Sequence, residues 1–154
     1  MKMNDVAERE LLDILGRGVA DRYLRAVKAL DRLDALDGRS GKLASEELRT
    51  EPAAADAIAH ELVAQLLRIA GDARLEPLLR SISAGPCAMR ELARGLVASR
   101  LAVVRRVSEL ADAGLAERDP NTDIVAPTAV GSALVRLLDD LAAATAAALR
   151  GGPP

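Results

Sequence analysis

The chain has 154 residues, half of them hydrophobic and 29% charged, with a formal net charge of −2. That is enough apolar material for one compact domain, or a small domain with a helical extension, and it argues against global disorder. Cys87, His60 and Tyr23 are the only residues of their kinds beside no Phe or Trp, which excludes an intramolecular disulfide and a single-chain Cys/His zinc site, and argues against RNA or single-strand readers that stack bases on aromatic rings.

From Val6 to about Leu36 the apolar residues Leu12, Leu15, Val19, Tyr23, Val27, Leu30 and Leu33 recur every three or four positions, the rhythm of a helix packing against a partner helix. Gly16 and Gly18 fall in its middle and mark a candidate break or kink. Asp37-Gly38-Arg39-Ser40-Gly41-Lys42 reads as a loop, followed by a short helix over Ser45 to Arg49. Thr50 is the expected cap, and Pro52 the expected first-turn residue, of a helix running to Ala70 with Ile58, Leu62, Leu66 and Ile69 on its buried face. Gly71-Asp72 ends it.

The second half carries denser signals. Leu75, Leu78, Leu79 and Ile82 form a short amphipathic helix that stops at Gly85-Pro86, and another short helix spans about Met89 to Leu96. Ser99 is suited to cap a third, which reaches Ala113 and ends at Gly114. Short extended runs at Leu115-Arg118 and Asp123-Ala126 flank Asp119-Pro120-Asn121-Thr122, a hairpin with Pro at the second turn position. Thr128 caps a last helix with Val130, Leu134, Leu137, Leu138 and Leu141 on one stripe; its end, Ala142 to Leu149, is mostly alanine, and Gly151-Gly152-Pro153-Pro154 is expected to fray. These boundaries divide the chain into an N-terminal helical region (1–71), a second unit (72–141) and a tail (142–154).

No phosphate loop, dinucleotide fingerprint, metalloprotease helix or nucleophile elbow is present, and the sequence predicts no enzyme, cofactor or metal. His60 reads as a helix-surface residue and Asp139-Asp140 as a solvated face. The N-terminus lacks a signal-peptide apolar run and no stretch has the apolar length of a membrane span, so a cytoplasmic protein without membrane attachment is expected.

Five segments of the second half, taken in order, resemble one family arrangement. Gly85-Pro86-Cys87-Ala88-Met89-Arg90-Glu91-Leu92-Ala93 looks like the lead into the first helix of a helix-turn-helix. Ser99-Arg100-Leu101-Ala102-Val103-Val104-Arg105-Arg106-Val107 resembles a recognition helix. Glu109-Leu110-Ala111-Asp112-Ala113-Gly114-Leu115 is similar to the ending that leads into a wing, the hairpin follows, and Thr128-Ala129-Val130-Gly131 resembles the start of the helix after it. Together, over about residues 74–141, they resemble the winged helix-turn-helix of the MarR and ArsR groups of bacterial transcription regulators. The fold this implies is mostly α, with a small β-hairpin wing and added N- and C-terminal helices. Residues 1–71 match no family arrangement.

The resemblance implies a sequence-specific regulator of double-stranded DNA. Leu92, Ala93, Val103, Val107 and Leu110 face inward, leaving Ser99, Arg100, Leu101, Val104, Arg105 and Ser108 toward a major groove. Arg100 and Arg105 are the candidate base readers, and Arg90, Arg94, Arg106 and Arg118 the candidate phosphate or wing contacts. Residues 74–118 hold eight arginines against five acids, a local excess of three positive charges in a net-negative chain. The sequence departs from the family pattern at Val97, where Gly is usual, and at Ala88, where a capping Ser or Thr is usual. It departs again at Leu101 and Val104 on the reading face, and at Asp119 and Asp123 in the wing. Those departures keep open an alternative in which the fold binds a protein partner. Cys87, just before a helix N-terminus, is a candidate redox residue if that terminus lowers its thiol pKa, against the plainer reading of a small half-buried side chain. The seven-residue rhythm of Val130, Leu134, Leu137, Leu141 and Ala144 points to a homodimer, against the alternative that the stripes of the first and last helices pack only on each other.

Overall fold

The helical rhythm at the start of the chain produces one uninterrupted helix, α1 (Lys2–Leu36), of 35 residues. The computed structural model describes residues 2–37 and 44–151, with side chains described from residue 6. The expected loop therefore lies, beyond Asp37, outside the described residues, as do 152–154. Next come α2 (Ala44–Thr50), α3 (Pro52–Ala70), α4 (Glu76–Ser83), β1 (Cys87–Ala88), α5 (Met89–Gly95), α6 (Arg100–Asp112), β2 (Ala116–Asp119), β3 (Ile124–Pro127) and α7 (Ala129–Leu149). The architecture is mostly helical, with one three-stranded antiparallel sheet in the order β1-β3-β2.

One core serves the described residues. Leu78, Leu79, Ile82, Met89, Val103, Val107, Leu110, Leu115, Val125 and Leu134 are fully enclosed, and Leu11 and Leu15 of α1 join the same cluster. α1 lies along α7 and shares its core, to which Ala70 of α3 also belongs. The inward stripe of α1 matches the expected one in part, with Val19 and Tyr23 half-buried. Leu11, Leu15, Val27 and Asp31 are buried, whereas Leu12, Leu30 and Leu33 stay exposed. At 3.6 residues per turn a 35-residue helix can bury only the positions its neighbours cover, and α7 and α2 meet different lengths of it.

Gly18 causes no break. It lets α1 approach Val130 of α7, whose methyl group occupies the space a Cβ would need, while Gly16 faces open space. At the other end of that contact Gly131 of α7 is buried against the Leu115 carbonyl, where a Cβ would clash with backbone. Asp31 reaches from α1 to the start of α2, its two oxygens accepting from the amides of Ala44 (3.0 Å) and Ser45 (3.1 Å). It supplies a carboxylate to the positive end of that helix. Its pKa is lowered, chiefly by the Ser45 hydroxyl and then by these amides, against an opposing effect of burial.

Thr50 does not cap α3. It is the last residue of α2, its hydroxyl donating to the Glu46 and Glu47 carbonyls, and Glu51 holds the cap position with no side-chain capping bond to α3. A threonine already inside a helix lacks the extended backbone that capping requires. α3 has Pro52 in its first turn and only half-buries Ile58, Leu62, Leu66 and Ile69. Asp139 is not merely solvated: it pairs with Arg80, which also pairs with Glu76, tying α4 to α7. No described helix is long and apolar enough to cross a membrane.

Candidate nucleic-acid interface

The segment from α5 to β3 is built by local chemistry that can be followed residue by residue. Met89 and Leu92 bury the inner side of α5, which starts at Ala88 with no side-chain cap. The chain then turns through Leu96, Val97 and Ala98, with the Ala98 amide donating to the Ala93 carbonyl at 3.0 Å. Val97 adopts φ +49 and is 93% exposed, so the reversal that glycine would make without strain is made by a β-branched residue. Ser99 has extended backbone, and its hydroxyl accepts from the Ala102 amide at 3.2 Å, satisfying a free donor at the start of α6. Val103, Val107 and Leu110 anchor the inner face of α6.

Gly114, at φ +75, ends α6. A Cβ there would also lie 2.8 Å from the Arg22 side chain, which crosses from α1 to bond the Asp112 carbonyl. β2 and β3 then pair Ala116 with Pro127 through Asp119 with Ile124. Thr128 closes the unit, its hydroxyl donating to the Gly114 carbonyl at 2.6 Å and accepting from the Gly131 amide at 3.0 Å.

The outer face of α6 holds most of what the sequence assigned to it. Arg100, Leu101, Arg105 and Ser108 are exposed, and Leu101 is 72% so. Val104 departs from the expectation: it is half-buried and packs against the core, because its position borders the inner stripe of Val103 and Val107. Ser99 is exposed but its hydroxyl is engaged in capping. Arg90 and Arg94 are exposed on α5 and Arg106 is half-buried. Among the described residues none of Arg90, Arg94, Arg105 and Arg106 forms an ion pair.

The hairpin acids have two different jobs. Asp119 organises the turn, one oxygen accepting from the Asn121 amide and the other from the Thr122 hydroxyl, both at 2.8 Å. These bonds hold its carboxyl below the usual range. Asp123, at φ +58, binds two arginines at once. Arg118 donates to Oδ1 from Nε (3.1 Å) and Nη2 (2.6 Å), while Arg100 donates to Oδ2 from Nη2 (2.9 Å). The Arg118 hydrogen bonds, with the charges of Arg118 and Arg100, lower its pKa against a smaller burial effect. The start of α6 and the hairpin are thereby joined by ion pairs, a link sequence reasoning missed. Asp123 was visible only as an unwelcome acid, and its nearer partner on α6 stands 23 residues away.

Cys87 lies in β1, paired with Val125. Its pKa is raised, first by burial and then by Glu91, whose Oε2 lies 3.6 Å from Sγ. Burial and the neighbouring carboxylate thus shift it away from the thiolate form that a helix N-terminus would favour. His60 is exposed on α3, its Nδ1 2.8 Å from the Asp56 carbonyl. Among the described residues no three His, Cys, Asp or Glu side chains are grouped to hold a metal ion.

Away from this face, α1 and α3 flank apolar hollows. One of about 240 Å³ is lined by Leu12, Leu15, Val19, Leu62, Leu66 and Leu137, among others. A larger cleft of about 640 Å³ runs between α1, α3 and the ends of α6 and β2, with Arg22, Arg25 and Gln65 among its walls. No protein-family model, curated protein or solved structure matches the chain.

Proposed function

We propose that the chain is a winged helix-turn-helix transcription regulator that binds double-stranded DNA sequence-specifically as a homodimer in the cytoplasm. The observation that carries this reading is the single face made by α6 and the hairpin. Arg100, Leu101, Arg105 and Ser108 lie exposed along one side of a serine-capped helix, and Arg118 stands beside them, connected to Arg100 through Asp123. A helix presenting two arginines is suited to the major groove, where an arginine fork reads guanine edges; arginines at its margin hold phosphates. Arg90, Arg94 and Arg106 supply those phosphate contacts in this reading, which requires no cofactor or catalytic group.

The apolar groups left exposed support a second copy. Leu12, Leu30 and Leu33 of α1, Val63 and Leu67 of α3, and Leu141 of α7 are each more than half exposed among the described residues, and large exposed apolar surface marks association sites. A twofold pair places two α6 helices on successive turns of one duplex, as half-sites require. Sedimentation at micromolar concentration showing only a 16.2 kDa species would remove the dimer from this account.

The direct test is Arg105→Ala on duplexes selected from a random pool. Loss of about 1–3 kcal/mol together with relaxed preference at one base pair marks Arg105 as a base reader. A uniform loss over all sequences makes it a phosphate contact. No change on any duplex refutes its place in the interface. The exposed Leu101 and Val97, with Asp123 neutralising part of the arginine charge, favour a second reading in which this face binds a protein. Capture of a folded partner through Leu101, with no duplex binding at low salt, would establish that alternative.

A further inference from the structure

We infer that Asp123 is a positioning residue, holding the Arg100 guanidinium in place to read one base pair; the inference rests on the DNA-binding reading above and names the device that gives it selectivity. Three observations lead to it. Asp123 is itself fixed from two sides: its amide donates to the Asp119 carbonyl (2.9 Å) and its carbonyl accepts from the Met89 amide (3.1 Å). The carboxylate is therefore carried by the hairpin turn and the start of α5 together. Its backbone sits at φ +58, a left-handed conformation that Asp and Asn tolerate better than most residues. Its two oxygens are divided, Oδ1 taken by Arg118 and Oδ2 by Arg100.

Arg100 gives this bond one N–H of its five and keeps its side chain 70% exposed. The remaining donors are free for a ligand, while the long side chain has already lost part of its rotamer freedom. An arginine held beforehand gives up less entropy when it meets a guanine edge, and a wrong base cannot recover the bond by letting the side chain swing away. The charge balance acts in the same direction. Two arginines around one carboxylate carry one net positive charge instead of two, which weakens sequence-independent attraction to phosphates. Asp119 does not compete for either arginine, because both its oxygens are spent inside the turn. Asp123 thus exchanges non-specific affinity for discrimination.

The experiment is selection from a random-sequence duplex pool with the full chain, comparing wild type, Asp123→Asn and Arg100→Ala, followed by titration of the selected and the unselected duplex. Asn keeps the left-handed backbone and removes the charge. Asp123→Gly, which adopts that backbone freely, is the second variant should the first not fold. The expected result is loss of preference at the same single base pair in Asp123→Asn and Arg100→Ala, by about tenfold, with several-fold tighter binding of Asp123→Asn to unselected duplex at low salt. Arg118→Gln leaves the Arg100 pair in place and should weaken binding while keeping the motif. An Asp123 variant that selects the wild-type motif with equal sharpness overturns the positioning role. Preference lost evenly at every position also overturns it, since that marks a structural role alone. Wild type that binds no duplex, or binds without preference, defeats the DNA reading itself, and is distinguished by failing before any variant is compared.

Discussion

Val97 turns the chain between α5 and α6 with φ +49 and almost its whole surface in water. A β-branched residue in that region has its Cβ against backbone, a cost of about 1–2 kcal/mol, and no packing offsets it. Val97→Gly or Val97→Asn should therefore raise stability by about 0.5–1 kcal/mol after the unfolded-state entropy of glycine is counted, read as the midpoint of urea unfolding. A lower midpoint in both variants would show that Val97 is not strained. The position was legible in the sequence as a valine where glycine is usual. The partners of Asp31 and Asp123 were not, because an isolated carboxylate gives no local sign of which amides or guanidinium groups the fold will bring to it. The surroundings of Cys87 were hidden for the same reason: burial and then Glu91 raise its thiol pKa, and Glu91 is brought beside it only by the fold.

At the scale of elements, the two glycines of α1 have opposite surroundings despite standing two residues apart. Gly16 faces open space, whereas the place of a Cβ on Gly18 is filled by Val130. Gly16→Ala should stabilise the helix by about 0.5–1 kcal/mol, a rise in Tm of about 2–4 °C per kcal/mol for a chain of this size. Gly18→Ala should lower Tm, because α1 must move away from α7 or Val130 must shift; a rise with both alanines would contradict the close α1–α7 approach. Asp31 sets a pH dependence on the α1–α2 junction. Its pKa is lower in the folded chain than the ordinary 3.8, so its stabilising effect is present above that value and is lost as pH falls through the folded pKa. Asp31→Asn should melt below wild type at pH 7, and the gap should close under acid; a gap independent of pH would rule out the charged cap. The elements of the second half were legible because each has its own punctuation: Ser99, Gly114 and Thr128 all do what their residue types suggest. β1 was not, since two residues beside Val125 have no periodicity of their own. The α1 stripe was right at Leu15 and Val27 and missed at its ends, where Leu11 is buried in place of Leu12 and Leu30 and Leu33 stay exposed, because an amphipathic helix this long offers several apolar rows and only its neighbours choose among them.

Across the whole molecule, one core runs from Leu11 to Val135, so α1 braces the α5–β3 unit through α7, Gly18 and the Arg22 bond to the end of α6. The face carrying Arg100, Arg105 and Arg118 is thereby held by a frame, while apolar rows of α1 and α3 remain uncovered on the outside. Mostly helical architecture was legible from periodicity, and packing of the first helix on the last was one of two open readings; that Gly18 and Val130 make the close approach was not legible, because only pairing reveals it. The most direct test of the account is binding to random-sequence duplex DNA across a salt series, with Arg100 and Arg105 together changed to Ala as the comparison. Binding should weaken steeply with salt and fall away in the folded double variant. A folded wild-type protein that binds no duplex at low salt, or a double variant that binds equally well, would contradict it.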